Sequence, residues 1–221
     1  MGSNKRNSSN VVVPSKASWT KLAKKFGALQ AEDKVTLIWF MIDAATHLTI
    51  ELGYLWLALT TTAAKGGDGF LAKLWREYGR ADKRWSVRDT GIVSVEIATV
   101  FVGVLCLFLV YGVWSNRSWR TPLQIIVCTC ELYGGWMTFA PEWFSVPPNP
   151  NLSGSDPVLF YIYLWFMNGL WVVVPLVLLW DSWSASARTY APSRGVFLFT
   201  AGLIGTYMIL VPAVLISRGI F

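Results

Sequence analysis

VTLIWFMIDAATHLTIELGYLWLALT, residues Val35 to Thr60, decides how the rest of the chain is read. A span needs about 20 mostly apolar residues to cross a hydrocarbon layer of about 30 Å, and this stretch exceeds that without a Lys, Arg or Pro. Yet it carries Asp43, His47 and Glu51 at successive four-residue steps, which a helix places on one stripe. His47 is the only histidine in the chain. Ionisable side chains are costly in a bilayer, so each is a functional candidate by default. An imidazole one turn from a carboxylate on either side forms a proton donor and acceptor. A polar stripe can also merely join helices or line a water crevice. One histidine with two acids exceeds what joining requires.

The surrounding composition agrees with a membrane setting. The 221 residues are 54% hydrophobic and 14% charged, far below the roughly 25% charge of soluble domains. Five windows are long and apolar enough to span, roughly 35–60, 91–114, 122–144, 157–182 and 195–217. The expected fold is therefore all-α, an integral membrane bundle of five transmembrane helices with an intramembrane pocket. Three parts are expected: 1–30 as a polar tail with a short amphipathic surface helix near Trp19–Leu29, 31–185 as the main membrane domain, and 186–221 as an additional transmembrane helix. The polar connection Thr61–Thr90 predicts a short amphipathic helix capping the bundle, and Val146–Pro157 reads as a turn-filled loop.

The net charge of +6 is concentrated in the N-terminal tail and the Lys65–Arg88 stretch. Basic residues beside apolar spans set topology or touch anionic headgroups, so nucleic acid is set aside and membrane lipid is the expected partner. The positive-inside rule favours a cytosolic N-terminus, although the basic 61–90 connection dissents. No apolar stretch opens the chain, so no cleavable signal peptide is expected. Cys106, Cys128 and Cys130 lie inside apolar runs and read as small packing residues, offering neither a disulfide framework nor a zinc motif. No metal site and no cofactor are expected.

Further polar groups lie in the other windows. Glu96, with Thr99 one turn later, needs an interior partner, for which His47 is the candidate. Glu131 is deep enough that it must be protonated, paired or facing a cavity; Glu142 and Asp181 read as interfacial. Asn168 and Trp171 share a face, and Pro175 can kink their helix and open space. An indole face stabilises a cation by about 2 kcal/mol when desolvated, although Trp171 could equally be one of many membrane tryptophans.

Taken together, HLTIE (His47–Glu51), LWREYGRADKRW (Leu74–Trp85), EIAT (Glu96–Thr99), LYGG (Leu132–Gly135) and FYIYLWFMNGLWVVVPLVLLWD (Phe160–Asp181) resemble the emopamil-binding proteins. That family includes the sterol isomerase that moves a ring double bond from the eight to the seven position. The resemblance covers roughly 35–182. It implies a five-helix fold with a pocket open to the membrane, where an alkene is protonated, a carbocation is held by an aromatic wall and a neighbouring proton is lost. It implies His47 with Glu96 as donor, Glu51 as base, Asn168 as the orienting group and Trp171 as the cation stabiliser. Asp43, Thr99, Trp85, Tyr78, Glu131 and Tyr133 are the expected substrate-binding positions.

The departures are specific. No counterpart of the family's first transmembrane helix is expected ahead of the His47 helix, a further span is expected after the family's usual end, Trp85 replaces a tyrosine, Glu131 stands where a Gln is expected, Gly135 replaces an acid, and Asp43 has no recognised counterpart. These reshape the polarity of the pocket and open the choice of substrate. The expected function is a membrane isomerase, or a cofactor-independent cyclase of specialised metabolism, acting on a sterol or terpenoid alkene in the endoplasmic reticulum, with a homodimer as the one assembly considered. A non-catalytic sterol- or amphiphile-binding protein of the same fold is the alternative. A transporter is disfavoured because the sequence shows no internal repeat.

Overall fold

A computed structural model describes residues 16–61, 65–145 and 152–189, with the single positions 198 and 202. Every regular element among the described residues is helical. Helix α1 (Lys16–Ala28) agrees with the expected amphipathic piece, and Lys25 Nζ lies 4.8 Å over the ring of Trp114. The decisive stretch forms α2 (Ala31–Ala45), a π-helical turn (Thr46–Glu51) and α3 (Leu52–Thr60) in unbroken succession. At about 1.5 Å per residue, the 30 residues from Ala31 to Thr60 reach about 45 Å.

Three of the expected windows fall in helices long and apolar enough to cross a membrane: Ala31–Thr60, Thr90–Trp114 and Leu159–Ala187. The second is α6 (Thr90–Trp114), whose first amides donate to the Asp89 carboxylate at 2.9 and 3.1 Å. The third is a π-helical turn (Leu159–Met167) running into α8 (Asn168–Thr189), with Pro175 inside. The window at 122–144 is also helical, as α7 (Arg120–Trp143), but it is not among the three, because Gln124, Glu131 and Glu142 dilute its apolar character. The window at 195–217 and the tip of the Pro-rich loop lie outside the described residues. Among the described residues, three helices thus have sufficient length and hydropathy, with α7 packed between two of them.

Helix α7 packs against both α6 and α8, and α2 packs on α6. Their shared core contains Phe40 and Ala44 from α2, Cys106 and Leu109 from α6, Val127 and Cys128 from α7, and Leu178 from α8. Polar ties fix the register: Gln124 Nε2 donates to the Leu178 carbonyl at 3.1 Å, and Arg120 pairs with Asp33 at 2.7 Å.

The connection folds as α4 (Phe70–Ala81) and α5 (Lys83–Val87), a cap of two short helices where one was expected. Trp75 and Trp85 stack at 4.7 Å, 9° from parallel, with Tyr54 and Ile92 beneath them. Gly79 lets α4 and α5 approach closely, because a Cβ there would lie 2.0 Å from Ser86 Oγ and turn that hydroxyl aside. Asp82 caps α5 and grips Arg84 through both carboxylate oxygens, at 2.6 to 3.1 Å. Arg84 also donates to the Thr138 carbonyl at 2.6 Å, tying the cap to α7. Burial alone would push the guanidinium down, but the bonds and charge of Asp82 outweigh it and hold Arg84 above its usual value.

Removing one partner of a buried pair strands the other. Arg84→Ala, which leaves the fully buried Asp82 unpaired, should cost about 3 to 5 kcal/mol. Thermal unfolding in detergent checks this; a midpoint equal to wild type would show that the pair does not hold the cap.

Candidate functional site

The site is assembled around a local change of helix pitch. An α-helix overshoots by about 40° over four residues, so a row at i, i+4, i+8 normally drifts around the surface. Here the second step, His47 to Glu51, falls in the wider π-helical turn. That turn rotates less per residue and brings the row back into line, a device common at functional sites.

As a result both imidazole nitrogens of His47 face carboxylates. Nδ1 bonds Glu51 Oε2, and Nε2 lies 2.8 Å from Asp43 Oδ1. The Nε2 position is off the ideal hydrogen-bond line, so the Asp43 contact is an ionic one rather than a straight hydrogen bond. Asp43 is fully buried and His47 is 2% exposed, whereas the Glu51 side chain keeps 17% of its surface open. The row therefore has a closed end and a half-open end.

Close packing of α6 makes this possible. A Cβ at Gly103 would approach His47 Cβ to 2.6 Å, so only a glycine lets the helix lie against the π-helical turn. From the other side, Trp75 Nε1 donates to the Ile50 carbonyl at 3.1 Å and ties α4 to the same turn.

Trp171 closes the row at Asp43. Its Nε1 donates to Asp43 Oδ1 at 2.7 Å, and its ring centroid lies 6.2 Å from that of His47 and 5.6 Å from Trp39. Cys106 Sγ donates to Asp43 Oδ2 at 3.1 Å. Asp43, Cys106 and Glu131 bring potential ligand atoms within 4.8 Å of one another. Cys106, expected as a packing residue, is thus part of the site. Nothing in its spacing signalled this, since it comes from a different helix.

Several expected contacts differ. Glu96 is 4% exposed, but it does not hydrogen-bond His47, whose nitrogens are taken. Its Oε2 has no partner, and the charges it feels are Glu51 and His47. Thr99 turns back to the Val95 carbonyl of its own helix at 3.1 Å. Asn168 does not orient an acid: its amide donates to Tyr78 Oη at 2.8 Å and to the Leu164 carbonyl at 2.6 Å. Packing around the ring pushes the Tyr78 phenol up, against the Asn168 bond, so it remains a neutral hydroxyl. Trp85 is buried in the cap stack rather than beside His47. Tyr133 is 65% exposed on α7 and stands apart from the row, because its position on the helix turns it outward.

An apolar cleft of about 340 Å³ lies between α7 and α8. Leu132, Gly135, Trp136, Phe139, Trp165 and Val172 line it, and none of the acidic or imidazole groups does. The expected pocket combining greasy walls with the titratable row is therefore not the cleft seen here.

The single histidine makes the geometry measurable. With ¹⁵N placed in His47, each ring nitrogen should report a neighbouring carboxylate, Nδ1 through a hydrogen bond and Nε2 through an ionic contact. Glu51→Gln should move mainly Nδ1 and Asp43→Asn mainly Nε2. An identical response to both substitutions would contradict the two-sided arrangement.

Residues 70–182 match the family described as EBP: EXPERA (EXPanded EBP superfamily). The chain is 33% identical over 150 residues to a 3-beta-hydroxysteroid-Delta(8),Delta(7)-isomerase of Cavia porcellus, covering 67% of this chain and 63% of that protein. It is 30% identical over 155 residues to the protein of the same name in Mus musculus, covering 70% and 65%. It is 29% identical over 153 residues to an isomeliandiol synthase of Ailanthus altissima, covering 68% and 70%. The chain thus spans 63% to 65% of the two mammalian relatives. With the family match covering half of its length, the chain belongs to the EXPERA family, the expanded EBP superfamily.

Proposed function

We propose that this chain is a membrane isomerase or cyclase that protonates a carbon-carbon double bond of a sterol or terpenoid-like substrate. The observation that carries the reading is a buried imidazole with a carboxylate on each nitrogen, inside an apolar helix and beside an indole ring. Such a row is costly in hydrocarbon unless it moves or holds protons. The named relatives, hydroxysteroid Delta(8),Delta(7)-isomerases and an isomeliandiol synthase, support the substrate class.

In this reading His47 does not face the alkene directly. It relays a proton between its two carboxylates, and Glu51, at the half-open end, exchanges it with substrate together with Glu96. Protonation of one alkene carbon leaves a cation on its neighbour. Loss of an adjacent proton shifts the double bond, while attack by a second double bond closes a ring. Trp171 supplies a π face to the cation, and Asn168 with Tyr78 braces the cap over the site. Asp43, Thr99, Glu131 and Trp85 shape the polarity around it. The departures at Asp43, Glu131 and Gly135 favour an alkene other than the usual sterol, which keeps cyclisation beside isomerisation.

The rest of the proposal concerns setting. Residues 31–185 form the catalytic membrane domain, in which α7 is the third of four spans, with 1–30 as a surface anchor and 186–221 adding a fifth. The protein resides in the endoplasmic reticulum with a cytosolic N-terminus, contacts lipid, and admits its substrate to an intramembrane pocket. It needs no partner beyond lipid and substrate, although homodimers are compatible.

Microsomes expressing the chain, fed Delta(8)-sterols and polyunsaturated terpenoids, test this. His47→Ala, Glu51→Gln and Glu96→Gln should each lower turnover by about 10²- to 10⁴-fold in protein that still folds. Full turnover in all three variants would reject proton catalysis by this row, and sterol binding without turnover in the wild-type chain would leave a binding protein.

A further inference from the structure

Glu131 transfers no proton in the steps above and was given only an influence on polarity, yet it is 6% exposed and neither carboxyl oxygen has a hydrogen-bond partner. It points into the closed end of the row, where one of its oxygens lies within 4.8 Å of an Asp43 carboxylate oxygen and of Cys106 Sγ. The surroundings are apolar, with Val127, Cys128, Phe40 and Ala44 in the adjoining core. An unpaired buried carboxylate there is costly, and two ionised carboxylates side by side are costlier. A proton or a metal ion between them would relieve that cost.

The donors around Asp43 decide which. The indole N–H of Trp171 points at Oδ1, the thiol of Cys106 at Oδ2, and His47 Nε2 also sits against Oδ1. These groups form a cradle for an anion, with hydrogens directed where a metal ion would need lone pairs. A cation would have to displace the thiol proton and face an indole N–H. Glu131, by contrast, satisfies itself by becoming one more donor to the same carboxylate.

We propose that Glu131 and Asp43 share one proton, and that Glu131 is a positioning residue that keeps Asp43 a singly charged anchor for His47 and Trp171. The sharing is balanced: as the proton passes, one O–H bond breaks on Glu131, one forms on Asp43, and the pair keeps a single negative charge. His47 then meets one negative charge at each nitrogen, from the pair and from Glu51. This role rests on the proton-transfer reading, but the shared proton itself does not depend on any substrate.

The test uses the full chain in detergent or nanodiscs and has two readouts. Infrared spectra should contain a carboxylic-acid C=O band that is absent from Glu131→Gln and shifted in Asp43→Asn. Turnover should survive Glu131→Gln within a few-fold, because an amide donates to Asp43 as the acid does, and should fall roughly 10- to 100-fold in Glu131→Leu, which misplaces His47.

Three results would overturn the proposal: no band assignable to Glu131, a Gln variant as impaired as the Leu variant, or a stoichiometric metal in the purified protein that Asp43→Asn removes. If the band behaves as stated while no substrate is turned over, the proton pair stands and the proposed function fails.

Discussion

A lone imidazole held between two carboxylates inside hydrocarbon is the constraint that the rest of this structure serves. Charged or strongly polar groups are tolerated at such depth only when they satisfy one another, and His47 is enclosed by Asp43 and Glu51 along a single helix. The π-helical turn at Thr46–Glu51 keeps the three in line, Gly103 lets α6 close against them, and Trp171 and Cys106 complete the shell of Asp43 from two other helices. Each of these features has a plain structural cost. A widened turn weakens the helix, a glycine forgoes packing, and an indole and a thiol are committed to a carboxylate instead of a fully apolar neighbour.

The same logic explains the cap. The half-open end of the row lies towards α4 and α5, where Trp75 reaches the π-helical turn and Tyr78 receives Asn168. A second π-helical turn, Leu159–Met167, ends at Asn168. Both irregular turns thus occur where a side chain must be aimed at a neighbouring element. The buried Asp82–Arg84 pair then joins the cap to α7 through the Thr138 carbonyl, so the cover and the bundle form one packed unit.

Much of this was legible in the sequence because it is periodic. Asp43, His47 and Glu51 at four-residue steps declare a common face, and the apolar runs mark Ala31–Thr60, Thr90–Trp114 and Leu159–Ala187. Composition also flagged Glu131 as needing a proton, a partner or a cavity. What stayed hidden is what depends on three-dimensional pairing. Glu96 looked like the partner of His47, but the imidazole has two nitrogens and both were claimed by its own helix. Cys106 looked like packing because nothing local says which side chain of a different helix it will face. Tyr133 looked like a pocket residue beside Glu131, and the rotation of α7 turned it outward. Helix pitch was invisible as well, since the sequence does not announce a π-helical turn.

The account as a whole requires protons to pass from this row to an alkene. It is tested most directly by single-turnover conversion with enzyme pre-equilibrated in deuterated water, followed by mass and magnetic-resonance analysis of the product. The account predicts one deuterium per product molecule, bound at the carbon that gained hydrogen. A product free of deuterium would contradict it.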